Sequence, residues 1–322
     1  MITRRRLTGL VATAPFAPLA APALAQGAWV PDRSITLVVA FAAGGGTDLA
    51  ARTIARFMER DLGVSVVVLN RPGAGGEIGF SELARARPDG HTIGFINTPH
   101  IVTLPIERRT RFQLSDFTLI ANIVDDPGGI WVMADSPYRS LADLLAAARA
   151  RPETISVSTS GQLAVPHSQV LMLEHVAGVR FISVHFNGGA PSVTALLGGH
   201  VDVLAGGTAD ALPQYRSGDF RVLGISAPQR DGNMPDVPTM REQGFDVIAA
   251  SGTGIVAPAG TPADVVQVLT AAVKRVIDGA EHRQQLAAQG LTPFYMDPDT
   301  YAQFWVDTER RMAPVLRAIR PN

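Results

Sequence analysis

From Ser34 onward, short apolar runs alternate with stretches of helical period, and this alternation restricts the fold more than any other feature. "ITLVVAF" (35–41) has the length and composition of a buried strand, and 48–61 places Ala50, Ile54, Phe57 and Met58 on one helical face. "VSVVVLN" (64–70) reads as a second strand, 77–87 as a second helix and "HTIGFIN" (91–97) as a third strand. Such a βαβαβ succession predicts parallel strands with helices on both faces, because each parallel return needs a crossover. "FTLIANIV" and "GIWVMAD" (129–135) continue the strands. A second series follows from Ser140, with strands in "TISVSTSG" (154–161), "VRFISVHF" (179–186), "HVDVLAGG" (200–207) and "FRVLGISA" (220–227). "GTGIVAPAGTP" (252–262) then reads as a strand running into a helix over 263–278.

Two strand–glycine–helix turns stand out, one at Gly44–Asp48 and one at Gly161–His167. The expected class is α/β, with two lobes facing each other across a cleft, each a mainly parallel sheet flanked by helices. Both glycine turns fall at the carboxyl ends of strands, where open α/β sheets bind ligands.

The first turn, "AFAAGGGTD", invites a nucleotide reading that its residues refuse. No lysine lies near Gly46 as a phosphate-binding P-loop requires, and Leu49 stands where the dinucleotide fingerprint needs its third glycine. What remains is the physics those motifs share. The first turn of a helix leaves about four amides without intrahelical partners and carries roughly half a positive charge. Gly44, Gly45 and Gly46 let a ligand approach the backbone, while Thr47 and Asp48 are suited to capping the helix. Asp48 beside such a cradle would repel a bare carboxylate and favour a ligand that brings a hydrogen-bond donor.

The second turn offers Ser158, Thr159 and Ser160 and the amides of Gly161 and Gln162, with His167 in the first turn of the next helix. A serine nucleophile there lacks both the G-x-S-x-G setting and an evident base. The seven histidines form no metal-binding spacing, and Asp125-Asp126 before Pro127 reads as a turn. Binding without chemistry, and without a cofactor or metal, is the expectation. An exported serine hydrolase and a ligand sensor feeding a signalling pathway remain the alternatives.

Arg4–Arg6, an apolar run and Ala23-Leu24-Ala25 mark residues 1–25 as a cleavable export signal, by the general or the twin-arginine route. Its loss takes the formal net charge from -1 to -4, which speaks against nucleic acid as a partner. The chain has no cysteine, hence neither disulfide nor lipid anchor. A periplasmic monomer stabilised by packing alone is expected.

The stretch from "PDRSITLVVAFAAGGGTDLAARTIARFM" to "DGHTIGF" resembles the opening of the Bug-type periplasmic receptors of tripartite tricarboxylate transporters. "STSGQLAVPHSQ", "VHFNGGAPSVTALLGGHVDVLAGG", "MPDVPTMREQGF" and "GIVAPAGTPADVV" follow in that family's order. The resemblance implies a Venus-flytrap binding protein that captures a small carboxylate and hands it to membrane transporter subunits. It implies ligand contacts at Phe41, Ala43, Gly44, Gly45, Gly46, Thr47, Asp48, Thr98, Ser160, Gly161, Gln162, His167, Asn187, Gly188 and the loop after Asp202. Lobe 1 is expected over 28–132 and 249–322, and lobe 2 over 133–248. Gln162–Pro166 and Phe186-Asn187-Gly188 depart from the family's pattern toward a less positive second lobe. A mono- or dicarboxylate, with an aromatic or apolar body, is expected over a tricarboxylate.

Overall fold

The computed structural model describes residues 29–319, so the expected export signal lies outside them. The first sheet opens with β1 (Ile35–Val39), α1 (Gly46–Leu62), β2 (Val66–Asn70), α2 (Glu77–Ala84) and β3 (Thr92–Thr98). β1 pairs in parallel with both β2 and β3, as the βαβαβ reading predicts. α1 begins two residues earlier than its apolar pattern suggests, on the glycines themselves, and ends at Gly63 in the left-handed conformation. Its buried face carries Ala50, Ile54, Phe57 and Met58, each large side chain contributing roughly 1.5–3 kcal/mol by leaving water.

α3 (His100–Glu107) was not legible as a helix, since Pro105 sits inside it. β4 (Phe117–Met133) departs furthest from expectation: one strand of 17 residues replaces two strands and a turn, and Asp125–Pro127 lie within it. The rest of the second lobe follows in chain order. It comprises α4 (Leu141–Ala150), β5 (Ser156–Thr159), α5 (Val165–Ala177), β6 (Ile182–His185), α6 (Gly189–Leu197), β7 (Val203–Gly207), α7 (Thr208–Ser217) and β8 (Phe220–Ile225). The chain then returns through β9 (Ala250–Pro258), α8 (Ala263–Asp278), α9 (Ala280–Ala288), β10 (Thr292–Met296) and α10 (Pro298–Ile319).

β4 explains the two lobes. Up to Pro127 it pairs antiparallel with β9, and from Gly128 it pairs antiparallel with β7 and β8. Proline donates nothing to a ladder, so Pro127 is tolerated where the strand changes partners. The change of sheet falls there. The sheets are mixed: β1, β2 and β3 pair in parallel, as do β5, β6 and β7, while β9, β4, β8 and β10 add antiparallel pairs.

Each sheet is covered on both faces, and side chains alternate between the two cores. In β3, Ile93 and Phe95 join α1 and α8, whereas Ile96 turns toward Phe80, Phe112, Tyr301 and Trp305. In β4, Ile130 and Val132 pack with Leu144 and Leu173, whereas Trp131 packs with Leu196, Leu212 and Phe220. Both glycine turns follow the carboxyl ends of their strands, β1 and β5.

Candidate functional site

The turn between β1 and α1 is built so that its backbone faces the junction. Gly44 has a φ of +87°, which side chains rarely adopt, and Gly45 precedes the helix in extended conformation without a side-chain cap. Asp48 closes the turn from behind. Its Oδ2 accepts the Gly44 amide at 2.9 Å and Arg52 Nε at 2.9 Å, and its Oδ1 accepts Asn70 Nδ2 at 2.9 Å. Burial alone would raise this carboxyl, but Arg52, the Gly44 amide and Asn70 outweigh it and hold it below its usual range. Asp48 is therefore a brace, and its charge is already spoken for within the first lobe.

Between the lobes lies a cavity of about 40 Å³. The first lobe lines it with Phe41, Ala42, Gly45, Gly46 and Thr47, and with Asn97 and His100 from around the end of β3. The second lobe contributes Ser160, Ala164, Val165, Pro166, Gly189 and Asp210, and the crossing supplies Asp126, Gly128 and Ser251. Of the residues singled out in the sequence, Phe41, Gly45, Gly46, Thr47 and Ser160 meet here.

The others stand off the lining. Ala43 and Gly44 are exposed, and Thr98 Oγ1 is buried against Tyr301 and Trp305 Nε1. Gly161 (φ +152°) shapes the second turn, and Gln162 reaches across the lobes to Glu107 at 3.0 Å. His167 Nδ1 accepts the Leu163 amide at 2.9 Å, and its ring meets His185 edge-on. Burial, with His185 beside it, lowers its pKa to about 4, so it is a neutral acceptor that holds the second turn. Asn187 accepts the Ala42 amide through its carbonyl at 2.9 Å, and Gly188 (φ +134°) packs against the same residue. Asp202 precedes β7 at the end remote from Gly207 and accepts the Ser156 amide and hydroxyl.

Two acidic residues that sequence reasoning did not select decide the electrostatics. Asp210, in the first turn of α7, accepts the Gly46 amide on Oδ1 at 2.6 Å and the Gly207 amide on Oδ2 at 3.3 Å. Asp126, at the sheet change, accepts Thr208 Oγ1 and the Ala209 amide, both at 3.1 Å. A Cβ on Gly189 would run into the Asp210 carboxylate, and one on Gly207 into that of Asp126. Burial pushes both carboxyls up, and the charge of Asp210 pushes Asp126 up further. Asp125 is raised to about 6 by burial. His100 is kept neutral by its own burial. Among the described residues, no lysine or arginine lines the cavity.

The cradle thus already meets a carboxyl group: Asp210 Oδ1 accepts the Gly46 amide at the start of α1, the end of a helix that favours an acceptor. Among the described residues no group of side chains could hold a metal ion. No described helix is long and apolar enough to cross a membrane.

Two α/β lobes on a shared strand, with a helix start of free backbone amides between them, define a periplasmic-type solute-binding protein. Residues 50–320 match the model of the tripartite tricarboxylate transporter family receptor, and the chain belongs to that family. It is a binding protein and not an enzyme. BugT of Bordetella pertussis is 31% identical over 94% of this chain and 93% of its own. Among solved structures, MatC from Rhodopseudomonas palustris with bound malate superposes with a TM-score of 0.82 at 30% identity, covering 89% of this chain and 99% of that one. R. palustris Rpa4515 with adipate gives 0.85 at 28%, covering 89% and 97%.

Proposed function

We propose that the protein captures a small organic carboxylate between its lobes and delivers it to the membrane subunits of a tripartite tricarboxylate-type transporter. The observation that carries this reading is the carboxylate of Asp210 on the Gly46 amide: the turn is formed to receive that group. The malate and adipate held by related receptors support the same ligand class. A ligand carboxylate would use the amides of Thr47 and Asp48, with Phe41, Val165 and Pro166 against its body and Ser160 as a polar contact from the second lobe. An acidic lining without lysine or arginine favours a mono- or dicarboxylate over a tricarboxylate.

Ligand entry needs the lobes to part, since a cavity of about 40 Å³ has room for little beyond water. We place the hinge at Asp126–Gly128 of β4 and at Ala249–Ala250 before β9. Hydrogen bonds across the lobes include Ala42 N–H to Asn187 O at 2.9 Å, Gly46 N–H to Asp210 at 2.6 Å, Gln162 to Glu107 at 3.0 Å, Thr208 Oγ1 to Gly290 O at 3.0 Å and Arg216 to Ala288 O at 2.9 Å. A ligand touching both halves shifts the population toward closure by its preference for that state.

A thermal-shift screen of small carboxylates tests the reading. Micromolar binding corresponds to about -8 kcal/mol, and ligand at 100 times Kd stabilises by about 2.7 kcal/mol, or several degrees. Saturable stabilisation by carboxylates is expected. Stabilisation by sugars or inorganic cations alone would overturn it.

A further inference from the structure

We propose that a groove behind the hinge, on the face of β4 turned away from the cleft, is a second binding site that takes an organic ammonium ion with an apolar body. It shares neither the glycine turn nor the ligand class of the cleft.

Successive side chains of a strand point to opposite faces, and at the change of sheet this gives the hinge two different walls. Asp126 lines the cleft, whereas Asp125 lines a groove of about 410 Å³ on the other side. That volume lies within the roughly 300–1,000 Å³ of small-molecule sites. Two helices wall the groove, one from each lobe. α10 contributes Phe304, Thr308 and Met312, and α5 contributes Val165, Ser168 and Met172. Each trio has the spacing of a single helical face. Ile248 and Phe294 complete the apolar lining, and both are left exposed to solvent.

Three polar groups interrupt these walls. Ser168 and Thr308 are 6% and 3% exposed, and neither hydroxyl has a hydrogen-bond partner. Buried polar atoms are ordinarily paired, so two unpaired hydroxyls facing each other from opposite lobes call for a bonding group between them. The third is Asp125, which belongs to the hinge itself. Burial raises its carboxyl to about 6, opposed only by the Asp126 amide. Among the described residues no lysine, arginine or histidine lines the groove, so its one charge has no counter-ion there.

An ammonium group brings one positive charge and three donors, the complement of one carboxylate and two hydroxyl oxygens. The rings of Phe294 and Phe304 add the attraction of aromatic faces for a cation, and Met172 and Met312 adapt to an apolar body. A carboxylate in the groove would meet Asp125 with no cation to offset it. A neutral alcohol would satisfy the hydroxyls and leave the charge uncompensated.

Calorimetry on the whole protein at about pH 7.5, where alkylamines are protonated, tests this with 2-phenylethylamine and n-hexylamine against 2-phenylethanol and n-hexanol. At least one amine should bind saturably, about tenfold or more tighter than its alcohol. Asp125→Asn, which keeps the shape and removes the charge, should weaken that amine by about tenfold and leave the alcohol unchanged. Met172→Trp, which fills the groove from a half-buried position, should remove amine binding with the circular dichroism spectrum retained. Absence of binding by both amines, or alcohols binding as tightly as amines, would overturn the proposal. So would an amine affinity that survives Met172→Trp, or one lost in Asp126→Asn and kept in Asp125→Asn, which would put the amine in the cleft.

Discussion

Asp48 and Gly44 are joined by a 2.9 Å hydrogen bond from the Gly44 amide to Asp48 Oδ2, which folds the glycine turn back onto the first turn of its own helix. Asn70 Nδ2 links Asp48 Oδ1 to the Phe41 carbonyl, so a single carboxylate fixes both ends of the turn. The cradle's shape therefore depends on a residue that does not face the cavity.

Replacing Asp48 with Ala should leave the Gly44 and Asn70 donors unmatched and cost about 2–3 kcal/mol, read from urea denaturation. Affinity should fall by a similar factor for every carboxylate, because the turn loosens and no ligand contact is deleted. The sign of the pH effect follows from the lowered carboxyl: its contribution is complete above about pH 4 and is lost as pH falls through the folded value. A ligand-selective loss would instead place Asp48 in the binding contact.

Gly45→Val probes closure. The backbone there is extended, which any residue adopts, so the fold should survive. A Cβ would lie 3.2 Å from Asp210 Oδ1 and 3.3 Å from the Gly189 and Ala190 amides, all in the second lobe. The branched side chain should hold the lobes apart, seen as a larger radius of gyration in solution scattering, and should abolish carboxylate-induced thermal shifts. Unchanged affinity would refute the cradle.

His167→Ala removes the acceptor of the Leu163 amide, and Leu163 is one of the few non-glycine residues with positive φ (+56°). The second turn should relax, lowering stability by about 1–2 kcal/mol in denaturant unfolding. Affinity should fall less than threefold, as expected for a side chain off the cavity. A tenfold or greater loss with unchanged stability would make His167 a ligand contact.

His282 is fully buried against Phe57, with ring centroids 5.3 Å apart and no partner on either nitrogen. Burial depresses its pKa to about 4, so the unfolded chain takes up the proton first as pH falls below 6.5. The associated stability is present above that pH and lost on acidification. Asp125, raised to about 6, works in the opposite sense, its contribution being lost as pH rises through 6. Phe at position 282 should cancel the histidine's share: between pH 7 and pH 4.5 the variant should gain about 2–3 kcal/mol on the parent. Parallel stability–pH curves for the two proteins would contradict this.

The turn at Gly44–Gly46 and the helix over 263–278 were legible because their signals are local: a glycine run and an apolar period. β4 was not, because Asp125–Pro127 has turn composition, and only pairing with β9 on one side and β7 and β8 on the other keeps it extended. α3 was hidden for the converse reason, a proline inside a helix that is stabilised by packing against α10.

The sequence by itself determined an α/β chain with helix starts that welcome an anion, since backbone amides and glycine conformations are properties of short segments. Only the tertiary structure decided what those amides face. Gly46 and Asp210 are separated by 164 positions, and no local pattern relates an acidic residue in one helix to an amide in another. Their meeting, with Asp126 alongside, follows from two sheets sharing one strand, and it sets two buried carboxyl groups against the positive end of a helix backbone.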